Sequence, residues 1–266
     1  MARRVGRGVV AGNAALRVEG LTVAFGGITA LDHVGLTVEA GELVGLIGPN
    51  GAGKTTVFNC LTRRYEPQAG TITYADHDLL RTPPHRIAEL GIARTFQNLG
   101  LFSQLTVREN VMVGAHHRGR AGFTSAALAL PGVRKEERRL RRDADDVLER
   151  LDLADLADHP AAGLPFGTLK RVELARALAV HPRLLLLDEP VNGLSYQEVD
   201  AFSETLRAIR RDLEVTTVVV EHHMGFVMGI CDRVVCLDFG RTIAAGTPEV
   251  VQRDPAVIEA YLGTAG

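Results

Sequence analysis

Cysteine is scarce in this chain: Cys60, Cys231 and Cys236 are the only three among 266 residues. An odd number without metal-ligand spacing excludes a disulfide framework and a zinc site. It leaves small reduced core residues, a usage that fits the cytosol. No apolar run reaches about 18 residues, which excludes a transmembrane helix. The opening stretch, 1–15, is basic with too short an apolar segment for a secretory signal, and is expected to be a disordered tail. Charge of one sign is lacking as well: a net charge of −2 offers no electrostatic footprint for nucleic acid. Internal repeats and low-complexity segments are absent. Lysine is rare beside arginine, with Lys54, Lys135 and Lys170 among 30 basic residues. What remains, 46% hydrophobic and 23% charged, is an ordinary globular composition on a chain long enough to bury a full core.

One of the three lysines stands in Gly48-Pro49-Asn50-Gly51-Ala52-Gly53-Lys54-Thr55-Thr56, which fits G-x-x-x-x-G-K-[ST]. The preceding residues 42–47 read as a buried strand and those from Val57 as a helix start. Glycines allow the backbone to approach phosphates with its N–H groups turned inward, and the helix N-terminus adds a favourable dipole. Lys54 reaches β- and γ-phosphates in such a loop, and Thr55 offers its hydroxyl to Mg2+. This is a nucleotide phosphate site.

Around it, Leu16–Glu19, Leu21–Phe25 and Leu36–Glu39 alternate as antiparallel strands, punctuated by Gly26-Gly27 and Ala40-Gly41. Phe25 ends one of them, either as an ordinary strand aromatic or as a ring that stacks on a base. Thr71–Tyr74 and Ile92–Phe96 read as strands, and 83–90 as a brief helix. Residues 98–163 change character: Thr106 and Glu109 form a capping-box pattern, 119–133 are small and glycine-containing, and 134–151 repeat apolar residues at helical spacing. Helices follow at 170–180 and 196–211, with the apolar strands Leu184–Leu187 and Val215–Val220 between and after them. A closing hairpin near 234–245 and a helix at 255–262 complete the chain. The alternation of strand and helix means a largely parallel sheet.

Asp188 and Glu189 leave the apolar strand side by side. Two like charges in one apolar surrounding repel, which is hard to justify as architecture. Together with the phosphate loop they resemble the ATP-binding cassette family, the nucleotide-binding subunits of ABC transporters. The resemblance covers nearly everything beyond residue 15. It implies an α/β fold, with a P-loop NTPase (RecA-like) parallel-sheet core, an antiparallel β subdomain and an α-helical subdomain inserted at about 98–180. It implies ATP and Mg2+ as ligands, with Asp188 supporting the metal and Glu189 as general base for the hydrolytic water. Gln97 matches the glutamine that touches Mg2+ and the attacking water. His222 matches the histidine that contacts the γ-phosphate, and Phe25 the aromatic that stacks on adenine. Leu164-Pro165-Phe166-Gly167-Thr168 occupies the place of the L-S-G-G-Q signature, with Gly167 at the start of a helix from Thr168. Leu164, Gly167 and Thr168 would complete the nucleotide site of an opposite subunit.

Within the family the chain is similar to the LivG-type ATPases of branched-chain amino-acid importers. The residues that carry this likeness are Phe25–Leu31, Ala93–Asn98, Leu105–Val111, Gly240–Pro248 and Val257–Gly263. The resemblance implies two integral membrane permease subunits and a LivF-type paralogous ATPase (or a second copy) as partners. A periplasmic or lipid-anchored solute-binding protein would be reached indirectly, and the place is the cytoplasmic face of the inner membrane. Three residues depart from common patterns: Pro165 for serine, Ser195 for aspartate, and His223 where the subgroup usually has aspartate. Cassettes do not touch cargo, so lipopolysaccharide export, urea or amide uptake, and a non-transport regulator stay open as alternatives.

Overall fold

Two long antiparallel strands, β1 (Ala14–Phe25) and β2 (Ile28–Glu39), open the fold and pair along their whole length across the Gly26-Gly27 turn. The computed structural model describes residues 14–96, 99–115 and 131–262. Residues 1–13 of the tail expected at 1–15, Gln97 and the 119–130 part of the anticipated loop lie outside the described residues, and Ala14 and Ala15 are already strand. The sequence divides β1 at Gly20, whereas the structure carries the strand through, with a register shift between Val18 and Leu21 that absorbs the glycine. Residues 28–35 are strand too, disguised in sequence by Asp32 and His33, where His33 adopts φ 54°.

Next come β3 (Leu43–Ile47), α1 (Lys54–Leu61), β4 (Ala69–Tyr74), β5 (His77–Asp78) and β6 (Ile92–Arg94). The brief helix expected at 83–90 is two 3-10 turns, Pro84–Arg86 and Ala88–Leu90, on either side of Ile87, and Gly91 in the left-handed region ends the second. Among the described residues three α-helices follow: α2 (Val107–Ala115), α3 (Pro131–Arg150) and α4 (Phe166–Leu178). Thr106 and Glu109 exchange the expected bonds, Glu109 N–H to Thr106 Oγ1 at 3.2 Å and Thr106 N–H to Glu109 Oε2 at 2.8 Å. The apolar stripe of α3, Ala144, Val147 and Leu148, continued by Leu151 just past its end, is buried against α2 and α4. The chain ends with β7 (Leu184–Asp188), α5 (Tyr196–Leu213), β8 (Thr216–Val220), α6 (Met224–Ile230), β9 (Arg233–Asp238), β10 (Arg241–Gly246), α7 (Pro248–Gln252) and α8 (Pro255–Leu262).

Among the described residues the strands form two sheets. One is antiparallel, β2-β1-β4-β5; the other runs β10-β9-β3-β8-β7-β6, parallel except for β10. In β3 and β7 every residue is buried, so each face needs its own cover. Val44, Leu46, Leu184 and Leu186 point into a core shared with the antiparallel sheet and α1. Leu43, Ile47, Leu185 and Leu187 point into a second core shared with the helices. Each face buries aliphatic side chains worth about 1.5–3 kcal/mol apiece. All three cysteines are buried and free, and burial pushes the thiol of Cys60 up to about 11 and that of Cys236 up to about 12, so they stay inert packing residues.

Candidate functional site

The carboxyl end of β3 delivers the chain straight into the glycine loop. Gly48 sits at φ 144°, and a Cβ there would lie 2.1 Å from the Leu237 carbonyl oxygen. Gly53, at φ 102°, would drive a Cβ to 2.6 Å from Leu31 and 2.8 Å from the Ala30 carbonyl. Only glycine fits either place. Gly53 is also the N-cap of α1 and gives no side-chain cap, so the helix opens with N–H groups available to an anion. Pro49 and Ala52 are buried, Asn50, Gly51 and Thr55 exposed, and Thr56 half-buried. Lys54 is buried, and its Nζ donates to the carbonyls of Gly48 (2.7 Å) and Pro49 (2.8 Å). Burial pushes its ammonium pKa down, against the opposing pull of Glu189, Cys236 and Asp188. The loop is thus a cradle of glycine backbone, an uncapped helix and one buried cation, a donor set that fits a polyphosphate.

The end of β7 brings both carboxylates to this cation. Asp188 is buried, and its Oδ2 accepts a 2.7 Å bond from Arg94 Nη2. The repulsion that the sequence posed is therefore answered by a guanidinium from β6. Glu189 takes φ 48°, a left-handed backbone that costs a non-glycine residue on the order of 1–3 kcal/mol. Its carbonyl accepts from Asn192 N–H at 3.3 Å, and further ties hold it there. Its N–H donates to the Val220 carbonyl (2.9 Å), its own carbonyl accepts from Lys170 Nζ (3.1 Å), and Asn192 Nδ2 donates to Oε2 (3.2 Å). His222 Nδ1 lies 4.0 Å from Glu189 Oε1, with about half the histidine exposed. The residue before it, Glu221, is fully buried. Its Oε1 accepts from Val191 N–H (3.0 Å) and its Oε2 from His222 and His223 N–H (2.9 and 3.1 Å). One carboxylate thereby clamps the loop after Glu189 to the loop that carries His222.

The remaining predicted residues divide. Phe25 is nearly half exposed and stands edge-on to Tyr65, centroids 5.0 Å apart, so a ring face is held open at the hairpin tip. Gln97 lies outside the described residues. The two residues before it are tied to the site: Thr95 Oγ1 accepts from Asp188 N–H (3.1 Å), and Phe96 N–H donates to Glu173 Oε1 (2.7 Å). The signature helix begins at Phe166, two residues earlier than expected, because Pro165 serves as its N-cap with extended backbone. Gly167 is consequently inside the first turn. A Cβ on it would meet Glu198 Oε1 at 2.3 Å, and one on Gly193 would meet the Phe166 ring at 2.9 Å. Leu164 packs on the helical core and Thr168 is buried. Phe166 and Gly167 thus pack against the loop and helix start at 193–198, with Lys170 Nζ 5.7 Å from the centre of the Phe166 ring.

Two departures acquire a function in the fold. Ser195 is the N-cap of α5 in a full capping box with Glu198. His223 caps α6, its Nδ1 accepting from Phe226 N–H at 3.1 Å. Sequence reasoning missed Arg94, Lys170, Glu173, Glu221 and Tyr65, whose partners are brought together by the fold. The signal available for Lys170 and Glu173 was their place on the signature helix among apolar residues.

Glu173 yields a pH prediction. Burial raises its carboxyl to about 7 from an ordinary 4.5, although the Phe96 N–H pulls it down. The folded state therefore holds a proton that the unfolded chain releases near pH 4.5, and stability is lost as pH rises from there through about 7. Glu173→Gln keeps an acceptor for Phe96 and removes the charge. Urea unfolding is expected to show the variant more stable than the parent at about pH 8, by up to about 3 kcal/mol, and equal near pH 4.5.

Similarity to known proteins matches this geometry. A family profile described as "ABC transporter" matches residues 31–192. The chain belongs to the ABC transporter family. A second profile, "Branched-chain amino acid ATP-binding cassette transporter", matches 241–266 of the cassette. The cassette is 42% identical over 250 residues to the high-affinity branched-chain amino acid transport ATP-binding protein BraF of Pseudomonas aeruginosa, covering 94% of this chain and 98% of the relative. The LivG protein of Escherichia coli K12 gives the same identity and coverage. Among solved structures, the cassette superposes on an ATP-binding cassette of an ABC transporter in its ADP conformation with TM-score 0.83 at 30% identity, covering 95% of this chain and 100% of that one. A nucleotide-free cassette gives 0.82 at 30% identity, covering 94% and 99%.

Proposed function

We propose that this cassette is the ATP-hydrolysing subunit of an importer for branched-chain amino acids or related small polar solutes. The observation that carries the hydrolytic reading is the meeting of Glu189 and His222, 4.0 Å apart, beside a phosphate cradle whose lysine feels both Asp188 and Glu189. Adenine stacks on Phe25. Gly48, Pro49, Asn50, Gly51, Ala52, Gly53, Lys54, Thr55 and Thr56 wrap the phosphates, and Lys54 exchanges its two carbonyl partners for phosphate oxygens. Thr55, Asp188 and Gln97 would hold Mg2+, which would neutralise phosphate charge. Glu189 takes a proton from the attacking water as its oxygen bonds to the γ-phosphorus and the bond to the ADP oxygen breaks. His222 steadies the γ-phosphate. Leu164, Gly167 and Thr168 face the nucleotide of a second cassette.

That second cassette is a LivF-type paralogue or another copy of this chain, and both grip two integral membrane permeases. A helical subdomain at about 98–180, inserted in the α/β core, is the moving part. Permease contact is supported by a cleft of about 400 Å3 between β6 and the helices, bordered by exposed Phe96, Phe102 and Val113. Among the described residues no helix is long and apolar enough to cross a membrane. This fits a peripheral subunit on the cytoplasmic face of the inner membrane, meeting a periplasmic or lipid-anchored solute-binding protein only through the permeases. Nucleic acid is no partner. The cargo reading is supported by relatives described as branched-chain amino acid transport ATP-binding proteins. Deleting the gene is expected to lower uptake of radiolabelled leucine, and the wild-type gene but not Glu189→Gln to restore it. Unchanged uptake of leucine, isoleucine and valine in the deletion strain would end the cargo assignment.

A further inference from the structure

The C-terminal helix reaches the phosphate loop. Tyr261, next to last in α8, accepts a hydrogen bond on its hydroxyl from Gly48 N–H at 2.9 Å, across 213 residues of sequence. Gly48 is the hinge between β3 and the loop, and its other backbone group accepts Lys54 Nζ at 2.7 Å. One glycine therefore joins the hydroxyl of the last helix to the loop's cation. Behind it the Leu237 carbonyl blocks any retreat, since a Cβ on Gly48 would lie 2.1 Å away. The helix is seated by buried Val257 and by the Tyr261 ring on the helical-side core, and Asp254 Oδ1 caps its start by accepting Ala256 N–H at 2.9 Å. Burial pushes the Tyr261 hydroxyl up to about 12, so it stays neutral and available to the amide. Tyr261 falls in the segment 241–266 matched by its own branched-chain cassette profile.

We propose that Tyr261 is a positioning residue of the nucleotide site, so that docking of α8 and binding of ATP are thermodynamically coupled. The inference rests on the reading of Gly48–Thr56 as the phosphate site. Without the hydroxyl, the Gly48 N–H loses its partner at the point where the loop leaves the sheet, and the loop samples entry angles that do not present its N–H groups together. Coupling is reciprocal: whatever factor α8 docking adds to ATP affinity, ATP adds to α8 docking.

The test uses the full chain, with ATP binding measured by equilibrium titration at limiting turnover and amide exchange followed with and without nucleotide. Tyr261→Phe removes one oxygen and keeps the ring. It is expected to weaken ATP binding about tenfold. In the wild type, ATP should slow exchange across 255–262, and in the variant this protection should be lost while β7 and β8 exchange as before. A purely structural tyrosine would lower the unfolding midpoint and loosen exchange generally, without removing the ATP-dependent protection of α8. That result, or equal ATP affinity in the two proteins, overturns the coupling. Absence of ATP binding by the wild type, or its survival unchanged in Lys54→Ala, overturns instead the phosphate-site reading beneath it.

Discussion

Glu189→Gln is expected to cut steady-state ATP turnover by roughly 10²- to 10⁴-fold while ATP remains bound. The amide keeps the size of the carboxylate but has no lone pair basic enough to take a proton from water. The backbone restraints survive, because they run through main-chain atoms: Val220 and Lys170 hold the residue at φ 48° whatever its side chain. Loss of rate should therefore appear in kcat, with nucleotide affinity little changed. Phosphate release by the cassette assembled with its partner, alongside ATP retention on a filter, measures both. Near-parental turnover would remove Glu189 from the role of base.

The second large effect is on stability. Arg94→Met is expected to destabilise the fold by about 3–5 kcal/mol, because it strands the buried carboxylate of Asp188. Arg94 is itself almost fully buried. Its Nη2 serves Asp188 at 2.7 Å and its Nη1 serves Asn59 (2.8 Å) and Thr62 (3.2 Å) of the helix after the phosphate loop, with the guanidinium carbon 5.4 Å from the Phe58 ring centre and 5.7 Å from that of Phe96. Removing the charge partner alone is the costly change, whereas replacing both members by apolar residues is often nearly neutral. The double variant Arg94→Met, Asp188→Leu should thus recover most of the lost stability while remaining unable to hydrolyse ATP. Urea midpoints of the two single variants and the double variant decide this. A single-variant loss within about 0.5 kcal/mol, the size of an ordinary surface change, would contradict it.

The parts of the fold that sequence made legible are those written locally. The glycine loop, the four leucines of β7 and the Thr106–Glu109 cap each carry their signal within a few residues, and each lies where the spacing puts it. The 28–35 part of β2 escaped because its alternation is broken by Asp32 and His33, and α6 because two glycines and seven residues leave no helical period to read. The start of α4 lies two residues before the expected Thr168 because Pro165, with extended backbone, is its N-cap. At the site, the groups that bear charge chemistry were legible, and the groups that hold them were not. Arg94, Lys170 and Glu221 act on partners 94, 19 and 30 residues away. Tyr261 acts at 213. No spacing rule spans such separations, so their roles follow from strand order. Placing β6, β7, β8 and β3 side by side is what brings Arg94, Asp188, Glu221 and Gly48 to one edge of the sheet. The departures Ser195 and His223 taught the same lesson in reverse. Each looks like a lost functional aspartate, and each caps a helix.

The measurement closest to the central claim uses the same Glu189→Gln protein as bait. Loaded with MgATP, it is incubated with gently solubilised membranes of the host, and the proteins that remain bound are identified. The expected catch is two polytopic permeases and a paralogous cassette, released when ATP is withdrawn. Recovery of soluble proteins or ribosomes alone, with ATP still bound to the bait, would contradict a transport role and leave a nucleotide-driven regulator in its place.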